Sequence, residues 1–455
     1  MAILLTVLFA SREEYEGFTR IDEYVPARLR AHLIPGASLV IVRDNSVIYA
    51  KGFGRARGDQ PMTIDTPLVI GSLSKAFTAT AVMQLVDERK IDLDSRVQQL
   101  IPEFQLADRA AAAKITVRHL LNQSSGIPGN APRAQNSPAP VTLLEHVIAL
   151  RDTELVSSPG GPHVYSSPNY QLLGLIVERV SGMSFADYMQ RRIFTPLQMT
   201  RTFTDLPSAQ RAGLAPGHSL WFGIALPSTY RHEPDRLPTA SIITTARDLG
   251  RFASAHLGDG SPILSAESMK IAHTGVAPAG SYFKYAMGWR AGETAGVQSL
   301  WHGGALPSYR GAVVLIPEHK IGVVLLTNGS SMFADHTREI ASGIIATFYD
   351  KEPIATARPL KHTYIAIAIA AVLLLILQIR SLVKAARGRG RKTSRRRIVA
   401  FDLVLPLAVV ALLPLWLKLS WRVIYESAPD IAAMTALLIT LAIITGILKL
   451  RMPAH

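Results

Sequence analysis

Hydrophobic and polar residues change their spacing several times along this chain, and each change marks a different kind of element. Ala37–Val42 and Val47–Gly52 are short β-rich runs joined through Asp44-Asn45, which predicts a hairpin. Ala76–Arg89 carries its apolar residues at helical spacing, and Pro67-Leu68-Val69-Ile70-Gly71 before it reads as a short strand and a tight turn. Val117–Leu121 begins another helix, ended by Ser124-Ser125-Gly126-Ile127-Pro128, and Tyr170–Val180 a further one, stopped by Ser181-Gly182. Ala312–Ile316 and Ile321–Thr327, split by Pro317-Glu318-His319-Lys320, predict a second hairpin. Strands at both ends with helices between them predict one α/β unit over residues 21–350. Its antiparallel sheet would be made from both ends of that stretch, flanked by helices and carrying a helical subdomain. Gly129–Pro140 reads as a surface loop, and residues 351–362 as a linker.

Beyond the linker the pattern loses its polar half. Thr363–Ile379, Ile398–Leu417 and Ile431–Leu448 are each close to the ~20 residues that cross a bilayer. Residues 363–455 therefore predict three transmembrane helices. Pro406 and Pro414 in the second run are tolerable inside a membrane bundle. The loop 380–397 holds nine Lys and Arg and no acid, so the positive-inside rule puts it in the cytoplasm and the α/β unit outside. Such a domain must be exported. Residues 1–20 include Ala2–Ala10, which resembles the apolar core of a signal peptide but lacks the usual positive start.

Charge changes its meaning once it is located. The 455 residues carry a formal +14, which alone would point to a nucleic-acid partner. From Lys361 onward, 14 Lys and Arg stand against three acids, so +11 belongs to the membrane region and only +3 to everything before it. No nucleic acid is implied; the expected partners are a lipid bilayer and a small-molecule or peptide substrate. The absence of cysteine rules out a thiol nucleophile, disulfides and Cys-type zinc sites.

The candidate chemistry begins at Ser72. In Gly71-Ser72-Leu73-Ser74-Lys75, a serine and a lysine three apart share one face of a helix. Ser72 falls at the helix N-terminus, where backbone N–H groups and the dipole favour negative charge. An attacking serine needs an amine to take its proton and N–H donors for the oxyanion it creates. Spacing by itself is weak, since Ser281–Lys284 and Ser381–Lys384 repeat it without the strand–turn–helix context. Two further segments add weight. Tyr165-Ser166-Ser167-Pro168-Asn169-Tyr170 places a phenol before a helix, and Trp301-His302-Gly303-Gly304-Ala305 enters the terminal strand pair. No Gly-x-Ser-x-Gly elbow, metal-binding His-Glu-x-x-His or phosphate loop is present.

Ser-x-x-Lys, then a Tyr-x-Asn-like segment, then His-x-Gly, in that order, resembles the serine β-lactamase and penicillin-binding protein superfamily. The nearest group is the class C β-lactamase-related hydrolases, which include D-Ala-D-Ala carboxypeptidases, D-aminopeptidases and esterases. Ile115–Ile127, Tyr165–Gly182, Tyr285–Trp289 and His302–Asn328 add to the resemblance, which runs from about Asp22 to Tyr349. It implies Ser72 as acylated nucleophile and Lys75 as proton acceptor or source of positive potential. It implies Tyr165 as general base or acid, and His302 at the place of a lysine in many relatives. Ser72 and Ala305 would supply oxyanion N–H groups, with Ser167, Gly303 and Gly304 lining the substrate. Lysine and tyrosine both titrate near pH 10, and neighbouring positive charge lowers both, so Lys75 and His302 around Tyr165 make chemical sense. Which of Lys75 and Tyr165 is the base stays open at this stage. One position departs from the family: Ser167 stands where Asn is usual, and its shorter hydroxyl reaches substrate less well while it can still orient Lys75. His119 is expected to pack the helical region.

The implied activity is that of a membrane-anchored serine hydrolase needing no cofactor or metal. It would work outside the cytoplasm through an acyl-enzyme on D-amino-acid peptides, amides or esters, cell-wall fragments among them. A slowly acylated receptor signalling through the spans, or a β-lactamase, is the alternative.

Overall fold

The computed structural model describes residues 2–132, 141–280, 282–349, 351–353, 359–387, 398–404, 408, 412 and 421–451. Its centre is a nine-stranded antiparallel sheet built from both ends of the α/β unit. In chain order the strands are β1 (Gly36–Arg43), β2 (Ser46–Arg57), β3 (Gln60–Pro61), β4 (Leu68–Val69), β5 (Gly217–Trp221), β6 (Ile224–Ser228) and β7 (Ile243–Thr244). There follow β8 (Ala277–Pro278), β9 (Phe283–Tyr285), β10 (Arg290–Thr294), β11 (Val297–Ala305), β12 (Arg310–Ile316) and β13 (Ile321–Thr327). The order across the sheet is β3-β2-β1-β13-β12-β11-β10-β9-β8.

The join is β1 against β13, Leu39 opposite Leu325 and Val40 opposite Val324. The first hairpin turns at Asp44 and Asn45, both at positive φ (47° and 63°). That conformation suits the twist of a two-residue hairpin and is tolerated by Asp and Asn. β1, β12 and β13 are almost wholly buried rather than alternating, because both faces of the sheet are covered. Leu39, Ile41, Val314, Val323 and Leu325 pack on one side with Ile340 and Ile344 of the helix His336–Phe348 and Ile21 and Val25 of the helix Ala2–Ala31. Val40, Val313, Val324 and Leu326 face the other side, with Phe252 of the helix Ala246–Leu257 and the helical subdomain.

The two helices on the first side are pinned by a buried charged contact. Glu339 is ion-paired with Arg28 and lies 3.2 Å from the His32 ring. The helix Ala2–Ala31 runs through residue 20 without a break, so the expected boundary there falls inside it.

Among the described residues two helices, not three, are long and apolar enough to cross a membrane: Leu360–Ala386 and Pro429–Arg451. The expected second span, Ile398–Leu417, lies largely outside the described residues, as do 388–397 of the basic loop, 133–140 of the Pro/Ala loop, 354–358 of the linker and Ser281. The α/β unit meets the apolar helices through the hairpin β5–β6. Leu220, Ala334, Leu360 and Tyr364 form a small buried cluster. The Phe222 backbone N–H donates to Asp430 Oδ2 at 2.8 Å, while Oδ1 accepts from Ile431 at the start of the second apolar helix.

Candidate active site

The site forms where the helical subdomain meets the unpaired edge of β11. Gly71 (φ +56°) turns the chain out of β4 into a 3₁₀ turn, Gly71–Leu73, that runs directly into the helix Ser74–Asp87. Only a residue without a Cβ suits that turn, for a Cβ on Gly71 would stand 2.9 Å from the Ala305 nitrogen. The β10 ladder on β11 begins at the pair Arg290–Trp301. Among the described residues no strand covers His302–Ala305 on that side. Gly304 lies beneath Ile70, whose carbonyl would be 1.8 Å from any Cβ placed there, whereas Gly303 has no such neighbour within 3.8 Å. Ser72 is half-buried, Gly303 half-buried and Ala305 exposed. The backbone of Ala305 thus sits beside the turn that carries Ser72.

Lys75 is fully buried. Its Nζ lies 3.3 Å from Ser72 Oγ, 3.3 Å from Ser167 Oγ and 3.1 Å from the Thr239 carbonyl. None of these partners carries a full charge. Burial therefore pulls the Lys75 pKa below the usual lysine value, and Arg236 and Arg290 add to this while Tyr165 opposes it. The same Nζ stands 5.0 Å from the centre of the Tyr165 ring. Burial works to raise the Tyr165 phenol. The charge of Lys75, a hydrogen bond with Ser72 and the Arg290 guanidinium outweigh it, and the pKa falls below the ordinary tyrosine value. An amine and a phenol biased in this way are deprotonated more readily than in water, and so are better placed to take a proton from Ser72.

The expectation that His302 supplies positive charge is corrected by its surroundings. His302 is 1% exposed, and burial, with Arg290 and Lys75 nearby, pushes its pKa well below the usual histidine value. Its Nδ1 faces the Gly303 carbonyl at 2.8 Å, an acceptor, so Nδ1 holds the proton and Nε2 accepts from the Tyr285 hydroxyl at 3.2 Å. The ring is neutral, 6.4 Å centre to centre from Tyr165. Beside Lys75, the second positive charge comes from Arg290, whose Cζ lies 5.7 Å from the Tyr165 ring centre. Sequence reasoning missed it, although it directly follows Tyr285–Trp289, a stretch already singled out. Thr239 was missed too, and nothing local marks it. Its carbonyl reaches Lys75 because Thr78 Oγ1 holds the adjacent Pro238 carbonyl at 2.7 Å.

Asn169 cannot take the place of the missing Asn at 167. Fully buried, it accepts from Ser125 Oγ and donates to Gln123 Oε1, both at 2.7 Å. Gln123 Oε1 also accepts the Ser166 N–H at 2.9 Å. The segment Gln123–Ser125 thereby fixes the entry into the helix Ser167–Ser181, and with it Tyr165 and Ser167. His119, expected to pack the helical region, instead caps a helix: Thr116 and His119 cap the helix Val117–Leu121 reciprocally, both bonds at 3.3 Å.

The sequence profile of the beta-lactamase family matches residues 21–345. The chain belongs to that family. It is a serine hydrolase of the β-lactamase and penicillin-binding protein superfamily. Penicillin-binding protein 4 of Amycolatopsis lactamdurans is 32% identical over 337 residues, 68% of this chain and 85% of that one. Protein flp of Staphylococcus aureus (strain NCTC 8325 / PS 47) is 28% identical over 319 residues, 69% of this chain and 64% of that one. The octameric penicillin-binding protein homologue from Pyrococcus abyssi superposes with a TM-score of 0.67 at 28% identity, covering 76% of this chain and 80% of that one. The β-lactamase-like fold, an antiparallel sheet with helices on both faces, is the one expected from the sequence; among the described residues two apolar helices stand where three spans were expected.

Proposed function

We propose that this family member is a membrane-anchored acyl hydrolase whose catalytic unit faces the outside of the cell. It would act through a Ser72 acyl-enzyme on D-amino-acid peptides, amides or esters. The observation that carries the reading is the buried Lys75 amine, held by Ser72, Ser167 and Thr239 without a carboxylate among those partners.

Ser72 Oγ attacks the substrate carbonyl and its proton passes to the Lys75–Tyr165 pair, Lys75 Nζ being in direct reach. The oxyanion is met by the backbone N–H groups of Ser72 and Ala305, reinforced by the N-terminus of the helix that follows. Tyr165, more open to the cleft than Lys75, returns the proton to the leaving amine or alcohol. Water then attacks the Ser72 ester by the same route in reverse and releases the acid. His302, neutral and tied to Tyr285 and Gly303, positions the β11 edge and Tyr285 and does not exchange protons. Ser167 serves mainly to hold Lys75, which leaves recognition of a substrate carbonyl to the exposed edge of β11. Relatives named for binding penicillin favour substrates of the D-amino-acid class. The apolar helices at the C-terminal end, with the basic loop between the predicted spans, favour anchoring with the catalytic unit outside.

The test is labelling with a fluorescent penicillin and with a fluorophosphonate, wild type against Ser72→Ala. Labelling should be lost in the variant; equal labelling would end the nucleophile assignment. Turnover of nitrophenyl esters, D-alanyl amides and a chromogenic cephalosporin then separates the substrate classes. A reporter fused at Gly388 should read cytoplasmic.

A further inference from the structure

The hairpin β5–β6 borders a second concavity that the catalytic cleft does not use. A cavity of about 550 Å³ opens between the end of the first helix, β2 and this hairpin. Leu29, Leu33, Ile34 and Ala225 give it an apolar floor. Its rim is basic, with Arg30, Arg55 and Arg57 all lining it and all exposed. Arg57 spends one N–H on the Leu214 carbonyl at 2.9 Å, and Arg55 lies 3.4 Å from the exposed Asp59. Leu33 and Ala225 also pack on the cluster that seats Leu360 and Tyr364. The cavity is therefore continuous with the start of the first apolar helix. Ile224 (64% exposed) and Leu226 (43%) carry the apolar surface along the hairpin.

Hydrocarbon flooring beneath a ring of guanidinium groups, at the place where a chain enters a bilayer, suits a phosphate joined to acyl chains. Guanidinium forks match phosphate oxygens in pairs, and basic residues at a membrane surface draw anionic lipid. A soluble anion would leave the floor bare. A neutral lipid would bring no anion to a rim of three arginines whose ion pair is Arg55 with the exposed Asp59, and a second copy of the chain docked by the same face would bring three more arginines.

We propose that this cavity binds an anionic glycerophospholipid of the surrounding leaflet, its phosphate on Arg30, Arg55 and Arg57 and an acyl chain against Leu29, Leu33 and Ile34. The site rests on the membrane-anchored reading above. Gly217 of the hairpin packs on Ser308 and Tyr309, just past Ala305, so the bound lipid also braces one wall of the cleft.

The full-length protein in mild detergent is stripped of lipid and offered equal amounts of phosphatidylglycerol and phosphatidylcholine. Bound lipid is then counted by native mass spectrometry. Wild type should retain one phosphatidylglycerol in preference, and each Arg→Gln change should weaken retention about fivefold. Combining Arg30→Gln, Arg55→Gln and Arg57→Gln should abolish the preference, while the three corresponding lysine changes should keep it. Fluorophosphonate labelling of Ser72 confirms that each variant is folded. Retention without charge preference overturns the site and leaves anchoring intact. Equal displacement by soluble glycerol 3-phosphate overturns it too, because the hydrocarbon would then contribute nothing, as does a lipid-free dimer sealed through this face. A full chain that stays soluble and lipid-free without detergent overturns the site and the anchoring together.

Discussion

Replacing Arg290 by Gln should move the acidic limb of the pH–rate profile to higher pH by about one unit. Arg290 favours tyrosinate over phenol at Tyr165 and amine over ammonium at Lys75. Removing its charge therefore raises both pKa values, and the sign of the shift does not depend on which group takes the serine proton. Taking the 5.7 Å between Arg290 Cζ and the Tyr165 ring centre as the scale of the separation from the phenolate, Coulomb's law gives about 3 kcal/mol at an effective dielectric of about 20, or about two units. Tyr165 is only half-buried, and screening by the open side of the cleft brings that to about one. The assay is kcat/KM for a neutral nitrophenyl ester against pH, which reports the free enzyme. Arg290→Lys should leave the limb near its wild-type position. A Gln variant whose limb stays within about 0.3 unit of wild type, or moves to lower pH, refutes the argument. The charge beside Tyr165 would then have to come from elsewhere.

Gly304→Ala should lower kcat about 10²–10³-fold while the protein still melts cooperatively. Its Cβ would sit 1.8 Å from the Ile70 carbonyl and push the Ala305 N–H away from Ser72. Steady-state kinetics beside a thermal melt separates this from unfolding. Ser167→Ala removes one of three acceptors around a buried amine and should cost about 10–100-fold in kcat/KM, the worth of a hydrogen bond to a charged group; an unchanged acylation rate would show that Lys75 needs no such support. Glu339→Ala leaves Arg28 and His32 without the carboxylate that ties the first helix to the helix His336–Phe348. Denaturant unfolding should show a loss of about 3–5 kcal/mol with no change in Ser72 labelling at low denaturant.

Elements whose cause is local were readable along the chain. The Asp44-Asn45 turn, the helix stop at Gly182, the strand–turn–helix around Ser72 and the two strand pairs at the ends follow from backbone preference and periodicity, which short stretches carry whole. The Ser72–Lys75 contact belongs here too, because one helix face brings the two together. Charge states and cross-chain partners are of another kind. His302 looks like any titratable histidine until folding buries it and supplies the Gly303 carbonyl and the Tyr285 hydroxyl. Asn169 looks like a displaced binding residue until Gln123 and Ser125 are seen to hold its amide. Thr239 and Arg290 lie 167 and 218 residues along the chain from Ser72, and only the sheet closed from both ends, with the subdomain folded onto it, puts them within a few ångströms of Lys75 and Tyr165. The sequence by itself determined Ser72 as the candidate nucleophile, its helix, and the two apolar helices Leu360–Ala386 and Pro429–Arg451 beyond. Tertiary structure decided which cation biases the phenol, because electrostatics depends on distance and burial, and neither is a property of a residue's place in the chain.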